Sequence, residues 1–439
     1  MRRILIQNSM PVSLNISDPI DFQCSCLKQP KTTDGEKSIM LPANQTGKVL
    51  LFYNYIQIQE PNQLAVFLQE LCSKLEIRGK IRLASEGFNI TLGGSFEAMV
   101  EFVSVLLKKD LTLASNGGEQ NCLFRGIEQL IKSDLNDGQD LFQDIHDAFQ
   151  CTSAKQADLA LSPFGQFVYF YFKPSEGCQH VFEKLSVTVL QDGILFGGIR
   201  SDLLCIPCTS KQVGDIIYQK TISNEPANQK REKEDKVVSL LPAEFHSQLL
   251  NQVENQDTIL LDCRNYYEMK IGHFKDAILP PVRKYSLLPK YLEKNKDMFK
   301  GKKVFTYCTG GVRCETAAPL ISLQTEASQV IMLQGGIHNY LDYVSSHNLD
   351  SLFTGVNYVF DARQSLGSPS SFCSFCVQCD KVCVEYTKCQ CHSIIICCQD
   401  CIQLCKDNGN QIYCCDDCAK GKRPCLCERN RGKELGILN

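Results

Sequence analysis

The stretch Val304-Phe305-Thr306-Tyr307-Cys308-Thr309-Gly310-Gly311-Val312-Arg313-Cys314-Glu315 constrains the fold of this chain more than any other. It reads as a short buried strand, a cysteine, and a glycine-bearing loop that ends in arginine and opens a helix. In that setting a Cys308 thiolate faces the backbone N–H groups of residues 309–313 and the positive end of the helix, an environment that lowers a thiol pKa and holds an anionic sulfur adduct. Gly310 and Gly311 are expected to adopt positive φ so that the loop amides point inward. Arg313 is expected to pair with an anionic substrate. Thr309, Gly310, Gly311, Val312 and Arg313 thus form an anion loop around Cys308. The bland alternative is a buried cysteine beside a tight turn, but cysteine, glycines and arginine fall together at one strand-to-helix junction.

The elements around that loop alternate. Strands are expected at residues 259–262, 303–307 and 330–333, with helices opening near Leu241, near Tyr285, after Arg313 and after Gly335. Strands alternating with helices imply a parallel sheet covered on both faces, with the site at a strand's carboxyl end, where Cys308 stands. Upstream, Gly47 to about Leu107 reads as strand, helix, strand, strand, helix, which suggests a ferredoxin-like sandwich. Residues 182–189 would supply its last strand. The aromatic run 167–172 reads as a further strand, and Leu141, Phe142, Ile145 and Phe149 as one amphipathic helix.

The expected organisation is a low-structure extension at 1–46, broken by prolines, and a ferredoxin-like domain at 47–200 with an insertion at about 108–163. A charged linker follows at 201–236, then an α/β domain at 237–366 and a cysteine-rich metal-binding region at 367–439. With 439 residues the chain has room for several cores, and a net charge of −3 excludes wholesale nucleic-acid or membrane electrostatics. It has no apolar run near the roughly 18 residues a membrane helix needs, so no membrane partner is expected. The chain holds 26 cysteines, 15 of them crowded between Cys373 and Cys427. Such crowding without a secretory signal points to a reducing compartment, by default the cytoplasm, with a mitochondrial presequence as the alternative.

Only four residues separate Cys308 from Arg313, one fewer than in the phosphate-binding loop of cysteine phosphatases. The shorter loop resembles that of the rhodanese family, whose cysteine carries sulfur as a persulfide. Asp262-Cys263-Arg264, Gly272-His273-Phe274-Lys275-Asp276-Ala277 and Leu333-Gln334-Gly335-Gly336-Ile337 strengthen the likeness. The string 307–315, with Gly79-Lys80-Ile81-Arg82-Leu83-Ala84-Ser85-Glu86-Gly87-Phe88-Asn89 and Phe360-Asp361-Ala362-Arg363, is similar to the rhodanese-containing tRNA uridine hydroxylases, which make 5-hydroxyuridine at the wobble position. A cysteine-rich tail is shared with the eukaryotic thiosulfate sulfurtransferase/rhodanese-like group. The resemblance implies that Cys308 is the essential cysteine and transfer RNA a partner. Asp262, Arg264 and Glu268 are expected as a supporting ion-pair network, His273 as a structural hydrogen-bonding residue, and Cys314 as either a resolving thiol or a bystander. Ala362 stands where the family has a carboxylate, and Pro319 interrupts the helix after the loop.

The tail carries Cys373, Cys376, Cys379, Cys383, Cys389, Cys391, Cys397, Cys398, Cys401, Cys405, Cys414, Cys415, Cys418, Cys425 and Cys427. Repeated close pairs place thiolates as tetrahedral zinc requires, enough for two or three ions, with an iron–sulfur cluster as the alternative. Three functions remain open at this point. One is a tRNA uridine hydroxylase. Another is a sulfurtransferase taking sulfur from thiosulfate or a persulfide through Cys308 to a thiol or cyanide. The third is a zinc-bearing interaction module without turnover.

Overall fold

Residues 7–8, 47–115, 141–190, 236–252, 257–363, 365–367, 374–391 and 393–422 are described by the structure, a computed structural model. Nearly all of the extension expected at 1–46 and of the linker at 201–236, and the middle of the insertion, lie outside the described residues; Gln7–Asn8 pair with Asn410–Gln411 of the tail.

Strand β1 (Gly47–Tyr55) is followed by α1 (Pro61–Lys74), opened by a proline at its first position where no N–H is needed. Then come β2 (Arg78–Ala84), β3 (Gly87–Ser95) and α2 (Phe96–Ser115). The long antiparallel ladder runs from Gly47 against Ser95 to Tyr55 against Gly87. After the insertion, β4 (Ser175–Glu176) and β5 (Leu185–Val189) complete a five-stranded sheet in the order β4-β1-β3-β2-β5. The strand expected near 182–189 therefore forms, but it lies parallel to β2 at one edge. The edge beside β1 is taken by the two residues of β4.

The aromatic run 167–172 is a helix and not the strand its residues suggest. It belongs to α5 (Pro163–Phe172), with Ser162 as N-cap accepting the Gly165 N–H and Pro163 at its first position. Seven of its ten residues are buried, so no polar face marks a helical period and the run mimics a buried strand. Ahead of it, α3 (Leu141–Gln150) buries Leu141, Ile145, Ala148 and Phe149 in the same core, while Phe142 points outward. The short α4 (Ala154–Ala160) follows. The insertion thus has a role that its polar composition hid. Ala154 N–H and Tyr169 OH both reach the Asp342 carboxylate of the next domain, at 3.1 and 2.7 Å.

That second domain contains β6 (Val237–Leu240), α6 (Pro242–Gln252), β7 (Thr258–Asp262), α7 (Tyr266–Met269) and β8 (Gly272–Phe274). It continues with α8 (Leu288–Lys294), α9 (Lys296–Phe299), β9 (Lys303–Tyr307), α10 (Cys314–Gln324), β10 (Gln329–Leu333), α11 (Gly336–Ser346) and β11 (Phe353–Gly355). Strands β6-β10-β9-β7 form an all-parallel sheet. Val304 and Val330 face α8 and α10 on one side, Phe305 and Ile331 face α6 and α11 on the other. Burial on both faces is why these strands read as continuous apolar runs.

A hairpin of β12 (Asn357–Tyr358) and β13 (Ser365–Leu366) leads to the cysteine-rich region. There β14 (Tyr386–Lys388) pairs with β15 (Ile394–Ile396), followed by α12 (Gln399–Asp407) and α13 (Asp416–Ala419). Its small core is shared with Ile271, Val356 and Tyr358 of the α/β domain, and Tyr386 stacks on Tyr358 at 5.5 Å.

Phe52 of β1 is fully buried and meets Phe172 of α5 at 4.8 Å. Replacing it by alanine is expected to cost roughly 3–5 kcal/mol of stability. Phe142→Ala, at an exposed site, should shift a denaturant midpoint very little. The pair of unfolding curves checks the assignment of this core.

Candidate active site at the domain interface

Cys308 sits where β9 ends and is fully buried. The Gly311 N–H donates to its Sγ at 3.2 Å, so a loop amide does point at the sulfur. The loop is pinned from the start of α11, since Ile337 and His338 donate their N–H groups to the Cys308 and Thr309 carbonyls. The two glycines serve different needs. Gly311 has a φ of +99°, and a Cβ there would come within 2.7 Å of the Tyr53 hydroxyl. Gly310 is not in the left-handed region as expected. It is glycine because a Cβ would meet Leu51 of β1 at 2.8 Å.

Arg313 is already occupied. Its guanidinium holds Glu268 through two bonds of 2.7 and 2.8 Å and donates to Thr309 Oγ1 at 2.9 Å. The expectation of a free cation for an anionic substrate is therefore corrected, because this buried charge is neutralised within the protein. Burial alone would favour a protonated Glu268, but Arg313 outweighs it and holds the carboxyl below its usual range. The expected network divides in two, since Asp262 pairs with Arg264 at 2.7 Å in a separate buried contact. Arg264 also donates to the Gly272 carbonyl at 2.6 Å. His273 bonds the Met269 carbonyl through Nδ1 at 2.9 Å.

The thiol chemistry also departs from expectation. Burial, followed by the neighbouring Cys314, pushes the Cys308 thiol well above its ordinary pKa, with Arg313 pulling the other way. Desolvation outweighs Arg313, whose charge is shared with Glu268. Cys314 is likewise buried, and burial, followed by the neighbouring Cys263, raises its thiol well above the ordinary value.

Sequence reasoning missed the residues that the first domain brings to the loop. Tyr55 OH donates to the Val312 carbonyl at 3.2 Å, and Tyr53 OH to Glu315 Oε1 at 3.2 Å. Lys173, which ends α5 in the left-handed conformation, places Nζ 5.3 Å from the Tyr53 ring centre. Burial raises Glu315 to about 7 and lowers Lys173 to about 8, and the charges of both groups act on Cys308. Nothing local advertises such partners, because Tyr53 and Glu315 are 262 residues apart.

Between the two domains lies a cavity of about 400 Å³, bounded by β1–β3, the cysteine loop and residues 357–366. Lys80, Arg82, Lys284, Arg313 and Arg363 line it against the single carboxylate of Asp361. Arg363 closes one end by holding Asp361 at 2.7 Å, Ser175 Oγ at 2.9 Å and the Glu176 carbonyl at 2.8 Å. Ala362 contributes its N–H to the Val181 carbonyl, so the position that lacks the family's carboxylate still ties the domains together.

In the tail the structure gathers two sets of four sulfurs. Cys376, Cys379, Cys398 and Cys401 form one, and Cys389, Cys391, Cys414 and Cys418 the other, each with all Sγ atoms within 4.8 Å. Four thiolates at such spacing are the donor set of tetrahedral zinc. Backbone N–H groups of Cys398 and Cys414 point at Cys376 and Cys389 Sγ, both at 3.4 Å, as thiolates in a metal site require. The sets interleave along the chain, first and third pairs against second and fourth. Cys383, Cys397, Cys405 and Cys415, also expected as ligands, belong to neither set. Burial pushes the first three thiols up, and all three pack in the module's core. Cys373, Cys425 and Cys427 lie outside the described residues.

Residues 245–343 match the rhodanese-like domain family, and residues 47–123 match the family described as UPF0176 acylphosphatase like domain. The chain carries a rhodanese-like domain. It is 29% identical to "Rhodanese-like domain-containing protein 6" of Arabidopsis thaliana over 403 residues, 88% of this chain and 55% of that protein. It therefore spans little more than half the length of that relative. It is also 27% identical, over 72% of its length, to "tRNA uridine(34) hydroxylase" of Acholeplasma laidlawii and of Bacillus mycoides, covering 71% of each. The N-terminal α/β sandwich and the rhodanese-like domain are thus both families in their own right, and they meet at the cysteine loop. Among the described residues no helix is long and apolar enough to cross a membrane.

Within the rhodanese-like domain, Glu268→Gln leaves Arg313 buried beside a neutral amide. It should cost roughly 3–5 kcal/mol in stability, and alkylation rates against pH should show the Cys308 thiol moving down. For the tail, native mass spectrometry of the full chain should count two metal ions. Cys398→Ser and Cys414→Ser should each weaken one site, and chelation should expose residues 374–422 to protease.

Proposed function

We propose that this chain is a transfer-RNA-modifying enzyme that hydroxylates C5 of the wobble uridine, with Cys308 as its reactive sulfur and an external two-electron oxidant as co-reactant. One observation carries the reading. The Cys308 loop is roofed by the acylphosphatase-like sheet, with a cation-lined cavity between them. The bacterial relatives named tRNA uridine(34) hydroxylase match this chain over most of that two-domain span. A polyanion is the substrate such a cavity suits, whereas a small sulfur donor needs an open loop and a free guanidinium. Here Cys308 is fully buried and Arg313 is held by Glu268, which disfavours the sulfurtransferase alternative.

Within this reading the residues divide the work. The loop amides, Gly311 N–H first, hold charge that develops on sulfur. Glu315 and Lys173, shifted to about 7 and about 8, are the groups able to exchange a proton near neutral pH beside Cys308. Tyr53 positions Glu315, and Glu268 fixes Arg313 at the loop's end. Cys314 lies close enough to Cys308 to serve as a resolving thiol. The two cysteine sets would hold zinc, supplying the tail with a fold and leaving the chemistry to Cys308. The domain limits that follow are 47–200, 237–366 and 367–439, in a cytoplasmic protein.

Deleting the gene and measuring 5-hydroxyuridine-derived nucleosides in bulk transfer RNA by mass spectrometry tests the proposal. The nucleosides should disappear and return with the wild-type gene but not with Cys308→Ser. Unchanged nucleosides would sink it, and thiosulfate-to-cyanide transfer by the purified chain would then favour the sulfurtransferase.

A further inference from the structure

Asn357 is 1% exposed, lines the interdomain cavity, and has no hydrogen-bond partner among the described residues for either Oδ1 or Nδ2. Asn89 Oδ1, in β3, lines the same cavity, is buried and has no partner among the described residues. A buried polar atom left unpaired costs about 1–3 kcal/mol, and the great majority of such atoms are satisfied. An unpaired carboxamide at Asn357 and an unpaired amide oxygen at Asn89, both lining one cavity, mark groups whose partner arrives from outside.

The chemistry of that partner can be read from the walls. A carboxamide offers one acceptor and one donor side by side, the complement of the imide edge of uracil with its N3–H and C4 carbonyl. Tyr267 and Phe360 add aromatic surface of the kind on which an unstacked base rests. Lys80 and Arg82, successive outward positions of β2, bring positive charge to the same wall. Lys80 spends one bond on the Phe360 carbonyl, at 2.9 Å. Arg82 is exposed and makes no ion pair among the described residues. The volume, about 400 Å³, falls in the roughly 300–1,000 Å³ range of small-ligand pockets. Thr309, Gly310, Val312 and Arg313 form part of the wall, so a base seated there lies against the cysteine loop.

We propose that this cavity holds one uridine nucleotide drawn out of an RNA strand, its uracil edge bound by the Asn357 carboxamide and its phosphates by Lys80 and Arg82. The assignment rests on the hydroxylase reading for its choice of base and names the residues that seat it. Extruding a base from a loop is the general route by which enzymes reach base atoms in RNA.

Binding of the full-length purified chain to two anticodon stem-loop RNAs tests this, one with uridine and one with an abasic residue at the wobble position. The wild type should bind the uridine RNA roughly tenfold more tightly or better, the scale of one two-bond base contact. Asn357→Leu and the isosteric Asn357→Asp should bind both RNAs as the wild type binds the abasic one. Asn357→Leu should also unfold no earlier than the wild type, since it removes orphaned polar atoms. Equal wild-type affinity for the two RNAs, no binding to either, or variants that lose both alike would overturn the pocket. Because the readout is binding, the two proposals fail separately. A chain that passes here but whose deletion leaves nucleosides unchanged keeps the pocket and loses the hydroxylase reading, and the reverse result removes only the pocket.

Discussion

The contact on which this molecule depends is the seat of β1 on the cysteine loop. Leu51 occupies the space a Gly310 side chain would need, Tyr53 does the same above Gly311, and Tyr55 binds the loop's own carbonyl at Val312. These contacts remove Cys308 from water. Its raised pKa, the protonation behaviour of Glu315 and Lys173, and the enclosed cavity all follow from that removal. A rhodanese-like loop in solvent would be a site. Under this sheet it becomes half of one.

Neutralisation of charge is the second consequence. A guanidinium taken out of water must be paired, and Glu268 pairs Arg313 from the start of α7, where its second oxygen also accepts the Asn265 N–H. The loop thereby keeps its shape with or without an anion. Positive charge available to a ligand then comes from β2, at Lys80 and Arg82, on the other domain. Shape and charge at the site have different sources, and only their apposition makes a place for a polyanion.

What the sequence made legible was local. The strand, Cys308, the glycine loop and α10 follow one another within a dozen residues, and so did the parallel sheet, whose strands are buried on both faces. The parts that were illegible depend on distance or on uniform burial. Glu268 lies 45 residues from Arg313, and nothing in spacing pairs them. Residues 167–172 are wrapped in core on every side, which erases the period that separates helix from strand. The last strand was placed correctly in the chain, but its edge of the sheet is a tertiary choice. Among the tail cysteines, spacing identified knuckles without showing which knuckles share an ion, because the sets interleave.

That interleaving has a dynamic consequence. The segment joining Cys379 to Cys398 contains Cys389 and Cys391, and the segment joining Cys391 to Cys414 contains Cys398 and Cys401. Closing either four-sulfur set shortens the free chain that must be ordered to close the other, so part of the second loop's entropy is already lost. An ion held by one set would therefore ease the binding of an ion by the other. Tyr386, stacked on Tyr358, joins the tail to the hairpin that carries Asn357.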